Sequence, residues 1–206
     1  MTVSPAGFDK SGQVLYLIDS RGRNTAALFA LDLATGEQTL LAEDARASIS
    51  GAITHPTQKT IQAAMFEYER EHHVVIDPAI QADLDYLKSV MPGDVNITSR
   101  TLDDAKWTIA CAVDNGPLQF YLYDRTARSA RLMFTSAPQL EGKPLVAMKP
   151  VIISSRDGLD LVSYLSLPPG SDPDGDGVPD QPVPAVLVVH GGAWARGSWG
   201  FTGRRQ

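Results

Sequence analysis

The chain has 206 residues, 43% of them hydrophobic and 7% aromatic, enough to bury the core of one large domain or parts of two. Its 24 acidic and 18 basic residues leave a formal net charge of −6, which disfavours a nucleic-acid partner because that role needs a clustered basic face. Cys111 is the only cysteine, so an intrachain disulfide and a cysteine metal cluster are both excluded. Its neighbours, "WTIACAV", predict a small buried strand residue rather than a reactive thiol. The opening "MTVSPAGFDKSG" lacks the basic start and apolar run of a secretory signal. No apolar stretch approaches the roughly eighteen residues of a membrane helix. The expectation is a protein that does not enter a membrane and is cytoplasmic by default, with a longer parent free to be exported.

Short β-rich runs separated by turn residues fill the first stretch. "VLYLID", "ALFALDL" and "EQTLLAE" are predicted strands, with "SRGRN" and "ATGE" supplying Gly and Asn for the turns. The order returns at "WTIACAV", "QFYLYD" and "ARLMF", joined by "DNGP" and "RTARS". Between them, "ITHPTQKTIQAAMFEYEREHHVVID" opens in the same way, with His55-Pro where the others carry an aspartate, and His72 and His73 alternate on a strand. "PAIQADLDYLKSVM" places apolar residues at helical intervals and predicts a short helix interrupting this middle unit. Taking Asp9, His55 and Asp103 as equivalent gives a period of roughly 45–50 residues, in the range of β-propeller blades. A sandwich with coincidental spacing is the alternative. Three blades do not close a ring and would leave edge strands unpartnered, so the chain reads as a piece of a larger propeller.

The style shifts after residue 147. "PVIISS" and "DLVSYLSL" flank "RDGL", predicting a hairpin with Asp157-Gly158 as a two-residue turn. A loop rich in Pro, Gly and Asp follows over 170–184. Then "AVLVV", apolar without alternation, predicts a strand buried on both faces, as inside an α/β sheet. It ends in His190-Gly191-Gly192. Acyl transfer builds negative charge on a carbonyl oxygen, and fixed N–H donors facing that oxygen lower the barrier. In α/β-hydrolases one donor comes from an HGG-type loop after the third strand. Gly192 is the candidate backbone donor, while His190 and Gly191 shape the loop. A strand-ending glycine turn with no chemistry is the bland alternative.

The nucleophile of such a site needs Gly-x-Ser-x-Gly at a strand-to-helix elbow. "RGSWG" around Ser198 has Arg196 at the first glycine position and falls just after the oxyanion loop, so Ser198 is rejected. None of the four histidines follows a nucleophile elbow, and no triad can be assembled from these residues.

"PLVAMKPVIISSRDGLDLVSYLSLPPG" together with "PAVLVVHGGAWARGSWGF" resembles the prolyl oligopeptidase family of serine peptidases, in its acylaminoacyl-peptidase and dipeptidyl-aminopeptidase-like branch. "EYEREHHVVIDPAIQADLDYLK" and "SRTLDDAKWTIACAVDNGPLQFYLYDR" resemble that branch's last propeller blades. The resemblance implies a propeller that caps an α/β-hydrolase domain and admits peptide-sized substrates, with a Ser-Asp-His triad after this segment. It also implies that residues 1–147 are the C-terminal blades and 148–206 the N-terminal part of the peptidase domain. The expected fold class is mainly β, about three blades followed by the first hydrolase strands. Where the family usually has proline after Gly-Gly, this chain has Ala193, and "TGRRQ" after Phe201 does not resemble the family's continuation. The expectation is a fragment of a serine peptidase, inactive alone. From a different class, a propeller-derived module binding a peptide or protein by strand addition at its open edges is the alternative.

"DPDGDGVPD" sets Asp172, Asp174, Asp176 and Asp180 at positions one, three, five and nine of a calcium-type loop, with Gly177 at six. Val183 stands at twelve, where a bidentate Glu would be expected, and no EF-hand helices flank the loop. Calcium of weak affinity is therefore the one candidate ligand, with a solvated acidic linker as the alternative.

Overall fold

The computed structural model describes residues 3–192 and 195–203. Three antiparallel meanders come first. The first sheet runs β1 (Val3–Phe8), β2 (Val14–Asp19), β3 (Ala27–Asp32), β4 (Gln38–Ala42) in chain order. The second holds β5 (Ile49–Thr54), β6 (Ile61–Glu67) and β7 (Glu71–Val75), and the third β8 (Asp94–Arg100), β9 (Lys106–Ala112), β10 (Gln119–Asp124) and β11 (Ser129–Thr135).

Each sheet opens with the same device. The amide of Asp9 donates to the Val14 carbonyl, that of His55 to Thr60 and that of Thr101 to Lys106, at 3.0, 2.8 and 2.9 Å. The side chain of each first residue then turns back on its own loop. The Asp9 carboxylate accepts from the amides of Ser11 and Val14, His55 Nδ1 from Thr57 and Gln58, and Thr101 Oγ1 from Lys106. A left-handed residue completes each turn: Gly12, Lys59 and Asp104, the last two at φ 60° and 57°. The repeat thus steps from 9 to 55 to 101, 46 residues each time. Thr101, not Asp103, is the third mark. Asp103 imitates it because its carboxylate accepts from Thr101 Oγ1 and the Ala105 amide within the same loop.

In the middle sheet a 3₁₀ turn (Pro78–Ile80) and α1 (Gln81–Val90) follow β7 where the other sheets have a fourth strand. Asp77 caps the turn, accepting from the Ala79 amide at 3.0 Å. Ile80, Leu84, Leu87 and Met91 recur at helical spacing and are buried against the third sheet. Two apolar clusters hold the sheets together. Tyr16, Leu28, Ile49, Ala64 and Phe66 join the first to the second, while Ile53, Ala63, Leu87, Trp107, Ile109 and Tyr123 join the second to α1 and the third. Consecutive residues Ala63 and Ala64 serve opposite clusters, so β6 is covered on both faces and its sequence "IQAAMF" lacks polar alternation. Cys111 is fully buried in β9, as its neighbours predict.

A polar network crosses the same junction. Asp104 accepts from Arg100 Nε at 2.6 Å and from Trp107 Nε1 at 2.7 Å, and pairs with Arg125 through its other oxygen. Arg100 continues to Gln62 Oε1 at 2.6 Å on the second sheet, and Arg125 to Asp83 at 2.7 Å on α1. Both guanidiniums also stand over the Trp107 ring, 4.6 and 4.9 Å from its centre. Tyr123 donates to Asp83 at 2.7 Å. Burial and that bond to an anion raise the phenol above its ordinary range.

The fourth sheet is the predicted hairpin, β12 (Lys149–Ser154) against β13 (Asp160–Leu165), aligned from Lys149↔Leu165 to Ser154↔Asp160. Its turn differs from the expected two-residue Asp-Gly form. Ser155 accepts from the Gly158 amide and donates to the Leu159 carbonyl, enclosing Arg156, Asp157 and Gly158, with Gly158 left-handed at φ 82°. A three-residue loop with glycine in that last position satisfies the strand twist equally well. Residues 185–189 also depart from expectation. They form no strand, and Val186 and Leu187 are 87% and 88% exposed. A parallel-sheet strand takes its hydrogen bonds from neighbours, and no described residue pairs with this run.

Candidate active-site loop

His190, Gly191 and Gly192 lie exposed at the end of the apolar run. His190 Nδ1 is 3.4 Å from the Gly191 carbonyl, a contact within the loop itself. Gly192 adopts φ +80°, where a side chain would be strained, and the space a Cβ would enter is open. An oxyanion donor needs that combination: an accessible backbone N–H held in a conformation that glycine tolerates. Ala193, which stands in the family's proline position, lies outside the described residues.

The chain then turns onto the middle sheet. Arg196 donates to the carbonyls of Glu67 and Tyr68 and reaches the Tyr164 hydroxyl at 3.5 Å. Tyr164 on β13 donates to the Glu69 carbonyl at 3.0 Å. Trp199 Nε1 donates to the Met148 carbonyl at 2.8 Å, and the Arg70 guanidinium sits 3.4 Å from the centre of its indole. The Phe201 amide closes on the Val113 carbonyl at 2.8 Å. Residues 196–201 therefore clip to the β6–β7 turn and the end of β9. A cavity of about 360 Å³ remains between Val113, Leu118, Arg196, Trp199 and Phe201. Ser198 Oγ contacts Glu67 Oε2 at 3.3 Å.

This clip joins residues about 130 positions apart, so local patterning could not find it. The only sequence signal was the density of Trp and Arg in "WARGSWGF".

No family model matches the chain. Dipeptidyl aminopeptidase BIII from Pseudoxanthomonas mexicana is 50% identical over 206 residues, which is 100% of this chain and 30% of that protein. Together with the likenesses below, that match supports the prolyl oligopeptidase family. Dipeptidyl peptidase family member 6 of Caenorhabditis elegans is 30% identical over 214 residues, covering 96% of the chain and 29% of that protein. The chain thus spans about 30% of the length of the curated relatives it matches. Among solved structures, a prolyl endopeptidase superposes at TM-score 0.52 with 14% identity, over 79% of this chain and 24% of that one. Prolyl oligopeptidase B from Galerina marginata gives 0.51 with 11% identity, over 79% and 23%. At those identities they establish the fold: a mainly β chain with propeller-type sheets.

The clip stands on an ionisable cluster. Arg70 pairs with both oxygens of Asp94, at 3.0 and 3.1 Å from Nε, and Glu71 lies beside it. Burial, then the charges of Asp94 and Glu67, push the Glu71 carboxyl up to about 7. His73 Nε2 is 3.7 Å from Glu71, and burial lowers its imidazole below the ordinary range. Folded Glu71 therefore keeps its proton up to about 7, whereas the unfolded chain releases it near the ordinary 4.5. Between those values the folded state binds more protons, so its stability falls as pH rises through the window. Discounted for solvent screening of a side chain 22% exposed, the effect is about 1–2 kcal/mol. Glu71→Gln should raise the stability by that amount at pH 8 and leave it unchanged at pH 4.5, in urea melts at the two pH values.

The acidic loop only partly follows its sequence pattern. Carboxylate oxygens of Asp172, Asp174 and Asp176 lie within 4.8 Å of one another. Asp180 does not join them. Its amide instead closes the base of the loop on the Ser171 carbonyl at 2.9 Å.

Helices long and apolar enough to cross a membrane are absent among the described residues.

Proposed function

We propose that this chain supplies the anion-stabilising loop of a serine peptidase acting on short peptides, with the Gly192 amide as the donor and His190 and Gly191 setting the loop's shape. One observation carries the reading: an exposed, left-handed glycine at the end of the apolar run, in a chain half identical along its whole length to a dipeptidyl aminopeptidase. In this reading residues 1–147 belong to the propeller and 148–206 begin the peptidase domain. The Arg196–Trp199 clip would then hold the start of one against the middle blade of the other. Peptide release in dipeptide units is the substrate class that the relatives' names suggest.

The 206 residues contain no Gly-x-Ser-x-Gly, so the attacking half of the reaction is expected from other sequence. An oxyanion donor without a nucleophile and base leaves little of the rate enhancement. The isolated chain should give no turnover of a dipeptidyl nitroanilide above buffer and no adduct with a fluorophosphonate serine probe by intact mass. A labelled serine, Ser198 above all, would overturn the assignment.

A further inference from the structure

We propose that the 171–180 loop is a calcium site, with Asp172, Asp174 and Asp176 as its carboxylate ligands, lying between the β12–β13 hairpin and the 190–192 loop. Three like charges crowded within 4.8 Å repel one another unless a cation stands among them. The second observation is independent of that crowding. The Asp172 side chain is only 8% exposed, and its Oδ1 is buried without a hydrogen-bond partner. Leaving a carboxylate oxygen in that state is costly, and a metal ion would relieve it directly.

Lys149 is the competing cation. Its Nζ lies 3.1 Å from Asp172 Oδ2 and also donates to the Gly175 carbonyl. The Gly177 amide donates to the same Oδ2 at 3.0 Å. All of this serves one oxygen of Asp172 and leaves Oδ1, with Asp174 and Asp176, for a second positive charge. A hard dication suits a set made only of oxygens. Calcium fits better than magnesium because this loop has no octahedral cage and two of its three carboxylates are exposed. With Asp180 outside the cluster and Val183 in the place of a bidentate acid, the ligand count is short. Affinity should fall in the weak extracellular-module range, a dissociation constant on the order of 10⁻⁴ to 10⁻³ M.

Isothermal titration of the full 206-residue chain with calcium chloride, and separately with magnesium chloride, decides the matter. The expected result is one saturable calcium site, magnesium at least about tenfold weaker, and loss of the site in the Asp174→Asn, Asp176→Asn double variant, whose exposed positions leave the fold intact. Lys149→Met removes the rival charge and should tighten calcium several-fold. Absence of saturable binding, equal binding of magnesium, or an unchanged double variant would each overturn the proposal. So would a Lys149→Met chain that binds calcium no better than the parent, since the lysine would then be irrelevant to the site. Peptidase activity enters none of these readings, so the site stands or falls apart from the oxyanion assignment.

Discussion

Asp104→Ala should lower the unfolding free energy by about 3–5 kcal/mol, seen as a fall in the urea midpoint at unchanged slope. The cause is the position of one carboxylate among three donors. Arg100, Arg125 and the Trp107 indole all converge on Asp104, and the Arg100 and Asp104 side chains are 6% and 8% exposed. Truncation leaves two guanidiniums partly stripped of water with no anion between them. It also removes the acceptor of the buried Trp107 indole N–H. Asp104→Asn keeps an acceptor for Trp107 but not the charge, so its loss should be roughly half as large. A midpoint unmoved by the alanine variant would mean that the sheets are held by their apolar clusters alone.

Much of that junction was legible in the sequence, but not its chemistry. β2, β3, β9 and β10 fall where their β-rich runs place them, because each keeps one face on a cluster, while β11 is mostly exposed and meets a cluster through Ala130. β1 and β8 did not announce themselves. "VSPAGF" and "DVNITSR" are mostly part-exposed and polar or glycine-bearing, so they gain their strand state from the ladder rather than from side-chain pattern. The 46-residue step was visible as a spacing, while its third mark was misplaced because a threonine hydroxyl and an aspartate carboxylate can close the same turn. In Asp104 a left-handed turn residue and a buried ion-pair anion coincide, and neither role leaves a one-dimensional trace.

The 190–192 loop shows the opposite case. His190-Gly191-Gly192 was readable from three letters and their apolar prelude, and the structure adds the backbone angle of Gly192. Val186–Val189 in contrast was read as a buried strand and stands exposed. Its sequence encodes a requirement for neighbours, and only neighbours can satisfy it. That contrast between an intrinsic turn and a context-dependent strand explains why the Gly192 turn takes its left-handed angle while residues 185–189 form no strand.

Trp199→Ala should release the 196–201 clip without unfolding the sheets. With the Arg70 side chain 40% exposed, its stacking on the indole contributes about 1 kcal/mol, and the Trp199–Met148 hydrogen bond adds about 1 kcal/mol net. Amide exchange at Phe201, whose N–H is held by Val113, should then quicken by roughly thirtyfold, while the Trp107 and Ile109 amides in β9 keep their protection. Arg70→Met alone is harder to interpret, because it also strips Asp94 of its bidentate partner beside Glu71. Combining it with Trp199→Ala resolves this. The cost of the orphaned Asp94 appears both with and without the indole, so it cancels in the double-mutant cycle. What remains is the stacking of Arg70 on Trp199, expected at about 0.5–1 kcal/mol for a side chain 40% exposed. A coupling near zero, with Phe201 still protected in the single Trp199 variant, would leave Arg196 and its carbonyl contacts as the whole of the clip.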